Sequence, residues 1–219
     1  MKTVCVPDEG WPELSDPSHY RIPSYYSDDV QSVLVPAGLE KDVVDKIAET
    51  VRSDYGDDTI HLLCVLKGAR TFYTELLSAL TDIHHKGCYT RMPYVEHFIQ
   101  IKSYIDSESA GPVVVHPSQL TSLVGQNVLV VEDILDTGKT LSALVSAIKE
   151  VGAKSVRVAV LAEKRTSRRT EQFKADYTGF SLPDKFIIGH GFDYNQNFRD
   201  LPHICSIAPS AIAKYSIKG

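Results

Sequence analysis

Three short apolar runs, each separated from the next by residues at helical spacing, constrain this fold more than any other feature. The runs are HLLCVL (61–66), NVLVVE (127–132) and SVRVAVLA (155–162). A strand that is apolar on both faces is typical of a parallel sheet covered by helices on both sides. Strands that alternate with helices predict βαβ crossovers. The sequence therefore predicts an α/β fold with a mainly parallel, twisted sheet flanked by helices.

Glycines mark the ends of two of the intervening helices. Gly56 and Gly152 follow the first and third helical patterns, and FIIGHGF (186–192) is interpreted as a fourth buried strand. YVEHFIQIKSY (94–104) and PVVV (112–115) have no helix between them, which predicts an antiparallel hairpin at one sheet edge. The apolar helix positions are Leu39, Val43, Val44, Ile47 and Val51; Phe72, Leu76, Leu77, Leu80 and Ile83; and Leu141, Leu144, Val145, Ile148 and Val151.

Length and composition bound the class of protein. With 219 residues and 43% hydrophobic content, the chain can bury the core of one domain. The net charge of −5 and the scattered basic residues disfavour nucleic-acid binding, and no apolar run is long enough for a signal peptide or a membrane span. Cys5, Cys64, Cys88 and Cys205 lack metal-binding spacing, which favours reduced thiols and a cytoplasmic location.

The segment VVEDILDTGKT (130–140) ends one predicted strand and opens the next helix. It is not a nucleotide-triphosphate loop, because the glycine required five residues before Gly138 is replaced by Asp133. Backbone N–H groups and hydroxyls from Thr137 to Thr140 suit one phosphate monoester at a helix N-terminus. Glu132 and Asp133 suit a diol or hydrated Mg²⁺, so the segment indicates a ribose 5-phosphate site. A capped helix after a buried strand is the plainer alternative, but it leaves both acids unexplained.

This segment resembles the phosphoribosyl-diphosphate (PRPP) motif of type I phosphoribosyltransferases. The segments LCVLKGA, IKSY, LAEKRTS, PDKFIIG and FDYNQNFRDL extend the resemblance to the hypoxanthine-guanine branch of that family, over nearly the whole chain and in the family's order. The resemblance implies a single domain (1–219). Its core spans about 36–185, and segments 1–35 and 186–219 form a small hood.

The resemblance also implies an activity and its partners. Members transfer the phosphoribosyl group from Mg²⁺-bound PRPP to N9 of a 6-oxopurine, giving a nucleoside 5-monophosphate and pyrophosphate in purine salvage. It further implies a homodimer or homotetramer, with the Lys67 loop near a subunit interface. Neither nucleic acid nor a membrane is an expected partner.

Carried over by position, the resemblance assigns a role to each candidate residue. Asp136 is the expected acid/base that exchanges a proton with purine N7. The Lys67–Gly68 loop, with a non-proline cis peptide, and Arg199 are expected to hold pyrophosphate. The 5-phosphate is expected to contact Thr137, Gly138, Lys139 and Thr140, and the ribose hydroxyls and Mg²⁺ are expected to contact Glu132 and Asp133. Asp193 is expected to be a further carboxylate associated with Mg²⁺, and a mobile loop that closes over the site is expected at Ser103 and Tyr104. The purine is expected to contact Lys164, Phe186, Ile187 and Phe192.

Several positions depart from the family pattern. Ala69 replaces a glycine of the diphosphate loop, HGFDYN brings in His190 and the bulky Phe192, and Glu163 stands where it can pair with Lys164. Gln100 stands where a basic residue is common in the family. These changes leave two alternatives open: a shifted base preference, towards xanthine or hypoxanthine alone, or a regulatory PRPP-binding homologue with little turnover.

Overall fold

A computed structural model of the chain describes residues 1–87, 93–101, 105–106, 109–110, 117–168 and 173–216. Ser103, Tyr104, Cys88 and the PVVV segment (112–115) lie outside these residues. In chain order the strands are β1 (Val4–Cys5), β2 (Val30–Val35), β3 (Ile60–Leu66), β4 (Tyr94–Gln100), β5 (Ile105–Asp106), β6 (Ser109–Ala110), β7 (Asn127–Leu135), β8 (Ser155–Lys164), β9 (Tyr177–Leu182), β10 (Ile187–Ile188) and β11 (Ile204–Ile207).

The main sheet has six strands in the described part of the chain, in the spatial order β1-β9-β8-β7-β3-β4. Every neighbouring pair is parallel. The helices that pack on it are α1 (Ala37–Tyr55), α2 (Arg70–Lys86) and α3 (Lys139–Glu150), while α4 (Pro209–Lys214) ends the described chain. The predicted α/β class and the mainly parallel sheet are confirmed.

The predicted helices and central strands lie within a few residues of their expected positions. Apolar residues of α1, including Val44 and Ile47, are buried against the sheet, and Gly56 caps the helix by donating to the Arg52 carbonyl at 3.0 Å. Gly152 follows α3 with a φ of 90°. A left-handed conformation favours glycine, which explains the stop after α3.

A second, antiparallel sheet of three strands has the order β10-β11-β2. It joins segments from opposite ends of the chain around a small core that includes Tyr26 and Phe198. Asp29, which is buried, accepts from the Lys214 ammonium at 2.8 Å and the Tyr215 hydroxyl at 2.9 Å. His203 Nδ1 accepts from the Ala37 amide at 3.0 Å at the start of α1. These contacts fix the two chain ends to each other and to α1.

The interpretation of FIIGHGF (186–192) as a fourth strand of the parallel sheet is wrong. Only Ile187–Ile188 form a strand, and they pair antiparallel with β11 in the second sheet. Gly189, His190 and Gly191 all have positive φ, which turns the chain immediately after the strand. The main sheet instead contains β9 next to β8. The sequence of β9, YTGFSL, mixes polar and apolar residues and was not predicted to be a buried strand.

The prediction that residues 94–104 form an antiparallel hairpin with residues 112–115 is wrong for the first of the two strands. Tyr94–Gln100 pairs in parallel with β3 and forms an edge of the main sheet. The preceding helix α2 supplies the crossover that a parallel pair requires. The described antiparallel pair nearby is the short β5–β6 ladder, with Ile105 opposite Ala110.

The strand order reverses between β3 and β7. From β3 the chain crosses to β4 on one side, whereas β8 and β9 follow β7 on the other. Open α/β sheets bind ligands beyond the carboxyl ends of the strands at such a reversal. The ends of β3 and β7, at Leu66 and Leu135, are therefore where a ligand site is expected.

Two further observations bear on predictions from composition. Cys64 and Cys205 are buried free thiols, as expected, and burial raises the pKa of each to about 12. Within the ranges described, none of the helices combines the length and the apolar character needed to cross a bilayer.

Gly179 in β9 gives a test of how tightly α1 packs on the sheet. A Cβ atom there would lie 2.6 Å from the Leu161 carbonyl oxygen and 3.1 Å from a Val43 methyl group. Gly179→Ala is expected to lower the free energy of unfolding by about 1–3 kcal/mol, because backbone must move to admit the methyl group. Denaturant unfolding measures this change.

Gly38→Ala is the matched control, because Gly38 lies exposed on α1 with no atom within 4 Å of an added Cβ. It should leave stability unchanged or raise it by up to about 1 kcal/mol. Equal effects of the two substitutions would contradict the close packing at Gly179.

Candidate active site

The loop that joins β7 to α3 forms a concave backbone surface at the strand ends. Residues 136–138 turn the chain, and Gly138, with a φ of 87°, immediately precedes the helix that begins at Lys139. The first amides of a helix have no partner within the helix, so they face outward as donors. A cavity of about 220 Å³ lies here; its lining is Glu132, Asp133, Ile134, Leu135, Asp136, Thr137, Gly138, Thr140 and Leu141.

Two adjacent carboxylates close one side of this cavity. Glu132 Oε1 accepts from the Asp133 amide at 3.2 Å, and Asp133 Oδ1 accepts from the Ile134 amide at 2.8 Å. Burial, followed by the neighbouring Asp133, holds the pKa of Glu132 well above its usual range, and burial also raises the pKa of Asp133. A cation or several hydrogen-bond donors at this position would offset the cost of keeping both groups charged.

Asp133 lies directly against the loop that follows β3. A Cβ atom on Gly68 would overlap the Asp133 carboxylate, so any larger residue here would displace that side chain. The Leu66–Lys67 peptide bond just before it is cis, which agrees with the expectation for this loop. The ends of β3 and β7 thus meet at the reversal of strand order.

A second cavity, of about 240 Å³, adjoins the first through shared residues. Its lining is Asp133, Ile134, Asp136, Lys164, Phe186, Ile187, Phe192 and Asp193. Ile187 and Phe192 are each 5% exposed, whereas Phe186 is 46% exposed and presents its ring to the opening. The shape and the aromatic lining suit a flat heterocycle with a polar edge.

Asp136 connects these cavities through a group of ion pairs. Its carboxylate lies 4.0 Å from Lys164 Nζ and 3.6 Å from an Arg168 guanidinium nitrogen. Arg168 also contacts Asp184 at 3.1 Å, and both line a third cavity with Lys164, Asp136, Lys185 and Phe186. Asp136 lines all three cavities, so a molecule that occupied the first two would pass this carboxylate.

The turn of residues 189–193 closes the second cavity from the side of the second sheet. Arg199 donates to the Gly191 carbonyl at 2.6 Å and pairs with Asp193 at 2.6 Å. The positive charge of Arg199 also acts to lower the pKa of Asp133. A Cβ atom on Gly191 would lie 2.6 Å from the Gly68 carbonyl oxygen, so the turn packs on the β3 loop.

Some predicted site residues lie beside these cavities without lining them. Lys67 and Lys139 are exposed. Gly68 packs against the Asp133 carboxylate, and Arg199 pairs with Asp193, so both contact residues that line the cavities. Ala69 begins α2 with φ −63° and ψ −10°, a conformation open to any residue, so the replaced glycine imposes no strain.

Sequence reasoning missed Arg168, Asp184 and Lys185 as cavity residues. The signal for Arg168 was the charge run around 164–168, which is equally typical of a solvated surface. Asp184 and Lys185 lie in the segment PDKFIIG, in which no role was assigned to them.

Comparison with known proteins agrees with this geometry. Residues 31–196 match the family described as the phosphoribosyl transferase domain. The rat hypoxanthine-guanine phosphoribosyltransferase is 42% identical over 195 residues, which covers 89% of this chain and 88% of the relative. The human enzyme of the same name is 40% identical over the same shares of both chains.

Two parasite proteins extend the similarity. The hypoxanthine-guanine-xanthine phosphoribosyltransferase of Plasmodium falciparum is 39% identical over 95% of this chain and 89% of its own. The crystal structure of the Schistosoma mansoni hypoxanthine-guanine phosphoribosyltransferase in complex with IMP superposes with a TM-score of 0.80 at 32% identity, covering 99% of this chain and 100% of that one.

The buried acidic pair provides a test of the electrostatics of the site. Because the folded-state pKa of Glu132 is raised, its charge destabilises the fold at neutral pH, and protonation removes that cost as the pH falls. Glu132→Gln is therefore expected to raise the free energy of unfolding at pH 7 by on the order of 1 kcal/mol. The gain should shrink as the pH approaches 4.5, the usual value for glutamate.

Glu150→Gln, at the exposed end of α3, removes the same charge without burial and should change stability little. Thermal unfolding between pH 4.5 and 8 compares the two variants. A gain in Glu132→Gln that did not vary with pH would contradict the electrostatic explanation.

Proposed function

This chain belongs to the hypoxanthine-guanine phosphoribosyltransferase family, and on that premise we propose that it performs the phosphoribosyl transfer of purine salvage. The reaction joins N9 of hypoxanthine or guanine to C1 of the ribose of PRPP and releases pyrophosphate. The single observation that carries this proposal is Asp136, which lines both the cavity at the β7–α3 loop and the aromatic cavity beside it.

The first cavity suits the ribose 5-phosphate part of PRPP. Thr137, Gly138, Lys139 and Thr140 present backbone donors, hydroxyls and one ammonium group at the start of α3, where the helix dipole favours an anion. At the other end of the cavity, Glu132 and Asp133 accept hydrogen bonds from the two ribose hydroxyls. One sugar phosphate thus meets donors at one end and acceptors at the other.

The second cavity suits the purine. Phe186 stacks on the ring plane, Phe192 lines the same cavity near the 2-position of the base, and Ile187 offers its backbone to the edge of the base. Lys164 donates to the 6-oxo oxygen, a contact that favours 6-oxopurines because the 6-amino group of adenine would meet an ammonium. Its distance of 4.0 Å from Asp136 keeps this donor and the carboxylate in one site.

The chemical step exchanges one bond for another at C1. The C1–O bond to the diphosphate breaks, the electron pair leaves with that oxygen, and N9 forms the new C–N bond from the opposite face. Asp136 accepts the proton from N7 as the ring becomes neutral. Lys164 and Arg168 hold the carboxylate beside the base.

The diphosphate belongs at the loop after β3. Lys67 and the amides around Gly68 bind the leaving group, and Arg199 contributes a guanidinium from the neighbouring turn. The oxygen ligands of Glu132, Asp133 and Asp193 fit Mg²⁺, which prefers carboxylates and bound phosphates. When bound, the ion neutralises charge that develops on the diphosphate.

The remaining features fit a substrate that is enclosed during transfer. The second sheet and the segments 1–35 and 186–219 act as a hood over the base, next to a core of about 36–185 in one domain. Ser103 and Tyr104, which lie outside the described residues, keep the role that the family resemblance implies, which is to close over the reaction centre and exclude water from the reactive ribosyl group. We place the enzyme in the cytoplasm as a homodimer or homotetramer.

A regulatory protein without turnover is not favoured. The acid/base position, the ammonium for the 6-oxo group, the acidic pair Glu132–Asp133 and Asp193 are all present, and Ala69 leaves the diphosphate loop unstrained. A chain that only bound the nucleotide would not need the groups that take part in the chemical step.

Asp136→Asn tests the acid/base role. It is expected to lower kcat with hypoxanthine by roughly 10²–10⁴-fold, because the amide cannot accept the N7 proton, while KM for PRPP changes little. Initial rates at saturating Mg²⁺ and PRPP measure both constants.

Asp184→Asn is the matched control, since Asp184 also pairs with Arg168 and lines the neighbouring cavity but is not assigned to the proton transfer. It should retain most of the native kcat. Native turnover in Asp136→Asn would exclude that carboxylate, and PRPP binding without turnover of any base by the unaltered chain would overturn the enzyme assignment.

Phe192→Leu tests whether the size of the side chain at residue 192 sets the preference between guanine and hypoxanthine. A smaller side chain is expected to raise the guanine-to-hypoxanthine ratio of kcat/KM by up to about 10-fold, because it gives the exocyclic 2-amino group room. Phe180→Leu, in the core of the main sheet, should lower stability without changing this ratio. A constant ratio in Phe192→Leu would assign the preference to another residue.

A further inference from the structure

A second cluster of polar side chains lies outside the proposed reaction site, where α1 and α2 meet the turn of residues 189–192. Glu40 comes from α1, Glu75 from α2 and His190 from the turn. The Glu40 and His190 side chains are 2% and 3% exposed, whereas that of Glu75 is 41% exposed. One nitrogen or oxygen from each residue lies within 4.8 Å of the other two.

The backbone holds His190 in an unusual conformation for a residue with a side chain. Its φ is 51°, between Gly189 at 86° and Gly191 at 94°, and its amide donates to the Leu201 carbonyl at 2.7 Å. Residues other than glycine rarely adopt this left-handed region. The turn thereby holds the imidazole between the two helices.

Three atoms of the cluster are buried without a hydrogen-bond partner among the residues described: Glu40 Oε1, Glu75 Oε2 and His190 Nε2. The backbone of Pro202 hydrogen-bonds the imidazole, and proline has only a carbonyl to offer. The imidazole therefore donates through Nδ1, which leaves Nε2 with its lone pair directed at the two carboxylates. Three electron-pair donors that face one another require a proton or a cation between them.

The distances within the cluster fit the spacing of ligands around one metal ion. His190 Nε2 lies 3.3 Å from Glu40 Oε1 and 3.5 Å from Glu75 Oε2. Both separations exceed the roughly 2.7–3.2 Å of an N–H···O hydrogen bond. Ligands bonded at about 2.1 Å to a tetrahedral ion lie roughly 3.4 Å apart, which matches both values.

We propose that Glu40, Glu75 and His190 bind one divalent transition-metal ion of the zinc class. Two carboxylates and a neutral imidazole give the bound ion zero net charge, as burial requires, and such mixed nitrogen and oxygen ligands suit zinc better than Mg²⁺. The exposed side of Glu75 admits the ion and leaves water as a fourth ligand. The Pro202 carbonyl orients the imidazole, as outer partners of ligating histidines do.

The site has a mechanical consequence for the reaction centre. It ties α1 and α2 to a turn whose next residues are Gly191, packed on the Gly68 carbonyl, and Phe192, which lines the base cavity. The ion would therefore fix the turn relative to the loop after β3 without touching substrate.

The electrostatics of the cluster agree with a bound cation. Burial, followed by the neighbouring Glu75, raises the pKa of Glu40 to about 9, and burial lowers the pKa of His190. A cation between these groups would offset the cost of keeping the carboxylates charged.

The test is a Co²⁺ titration of the chelator-treated chain in excess Mg²⁺, which occupies carboxylate sites that prefer a hard cation. We expect one Co²⁺ per chain, the strong visible absorption of tetrahedral Co²⁺, and displacement by Zn²⁺. Glu75→Gln and His190→Gln should each weaken binding by roughly 100-fold or more.

Glu132→Gln is the control, because it removes a carboxylate from the reaction cavity and should leave Co²⁺ binding unchanged. Glu75 lies on a partly exposed helix face, so Glu75→Gln carries the test even where a buried substitution prevents folding. Unchanged affinity in Glu75→Gln, less than one-tenth of an ion per chain, or loss of the ion in Glu132→Gln would each overturn the proposal. If protons alone satisfy the hydrogen bonds of the cluster, less than one-tenth of an ion per chain will bind.

Discussion

The close approach of Asp133 to Gly68 is the contact on which the rest of the site depends. It brings the end of β7 against the loop after β3, where a side chain on Gly68 would displace the Asp133 carboxylate. Gly191 packs against the Gly68 carbonyl of the same loop, where a Cβ atom would meet backbone at 2.6 Å. Two glycines therefore allow the close approach of three segments that are distant in sequence, from β3, β7 and the turn after β10.

Charge is distributed around this contact in a way that suits a ligand with unlike ends. Glu132 and Asp133 concentrate negative charge under partial burial, whereas Lys164 and Arg168 surround Asp136. Such an arrangement costs stability in the free protein, and hydrogen-bond donors or cations bound at the acidic pair would offset that cost. The same cost appears again at His190, where a separate buried group of acceptors lies between two helices.

Much of the fold followed from local pattern, and the errors have identifiable causes. The central stretches of β3, β7 and β8 are mainly apolar, so their burial on both faces could be predicted. The end of the chain could not be assigned in the same way, because Ile187–Ile188 is as apolar as a central strand yet pairs in another sheet. The edge strand Tyr94–Gln100 was taken for a hairpin because the crossover role of α2 depends on where the strand docks.

The sequence by itself determined the chemistry available to this protein: an acidic pair, an anion-binding helix start and a basic residue at a strand end, in an order that identifies the family. Only the tertiary structure decided which of these groups share a cavity. Arg168 and Asp184 join the site, and His190 turns away from it towards Glu40 and Glu75. The reason is physical, since residue type and spacing fix local conformation, whereas distances between segments depend on how the sheet and helices pack.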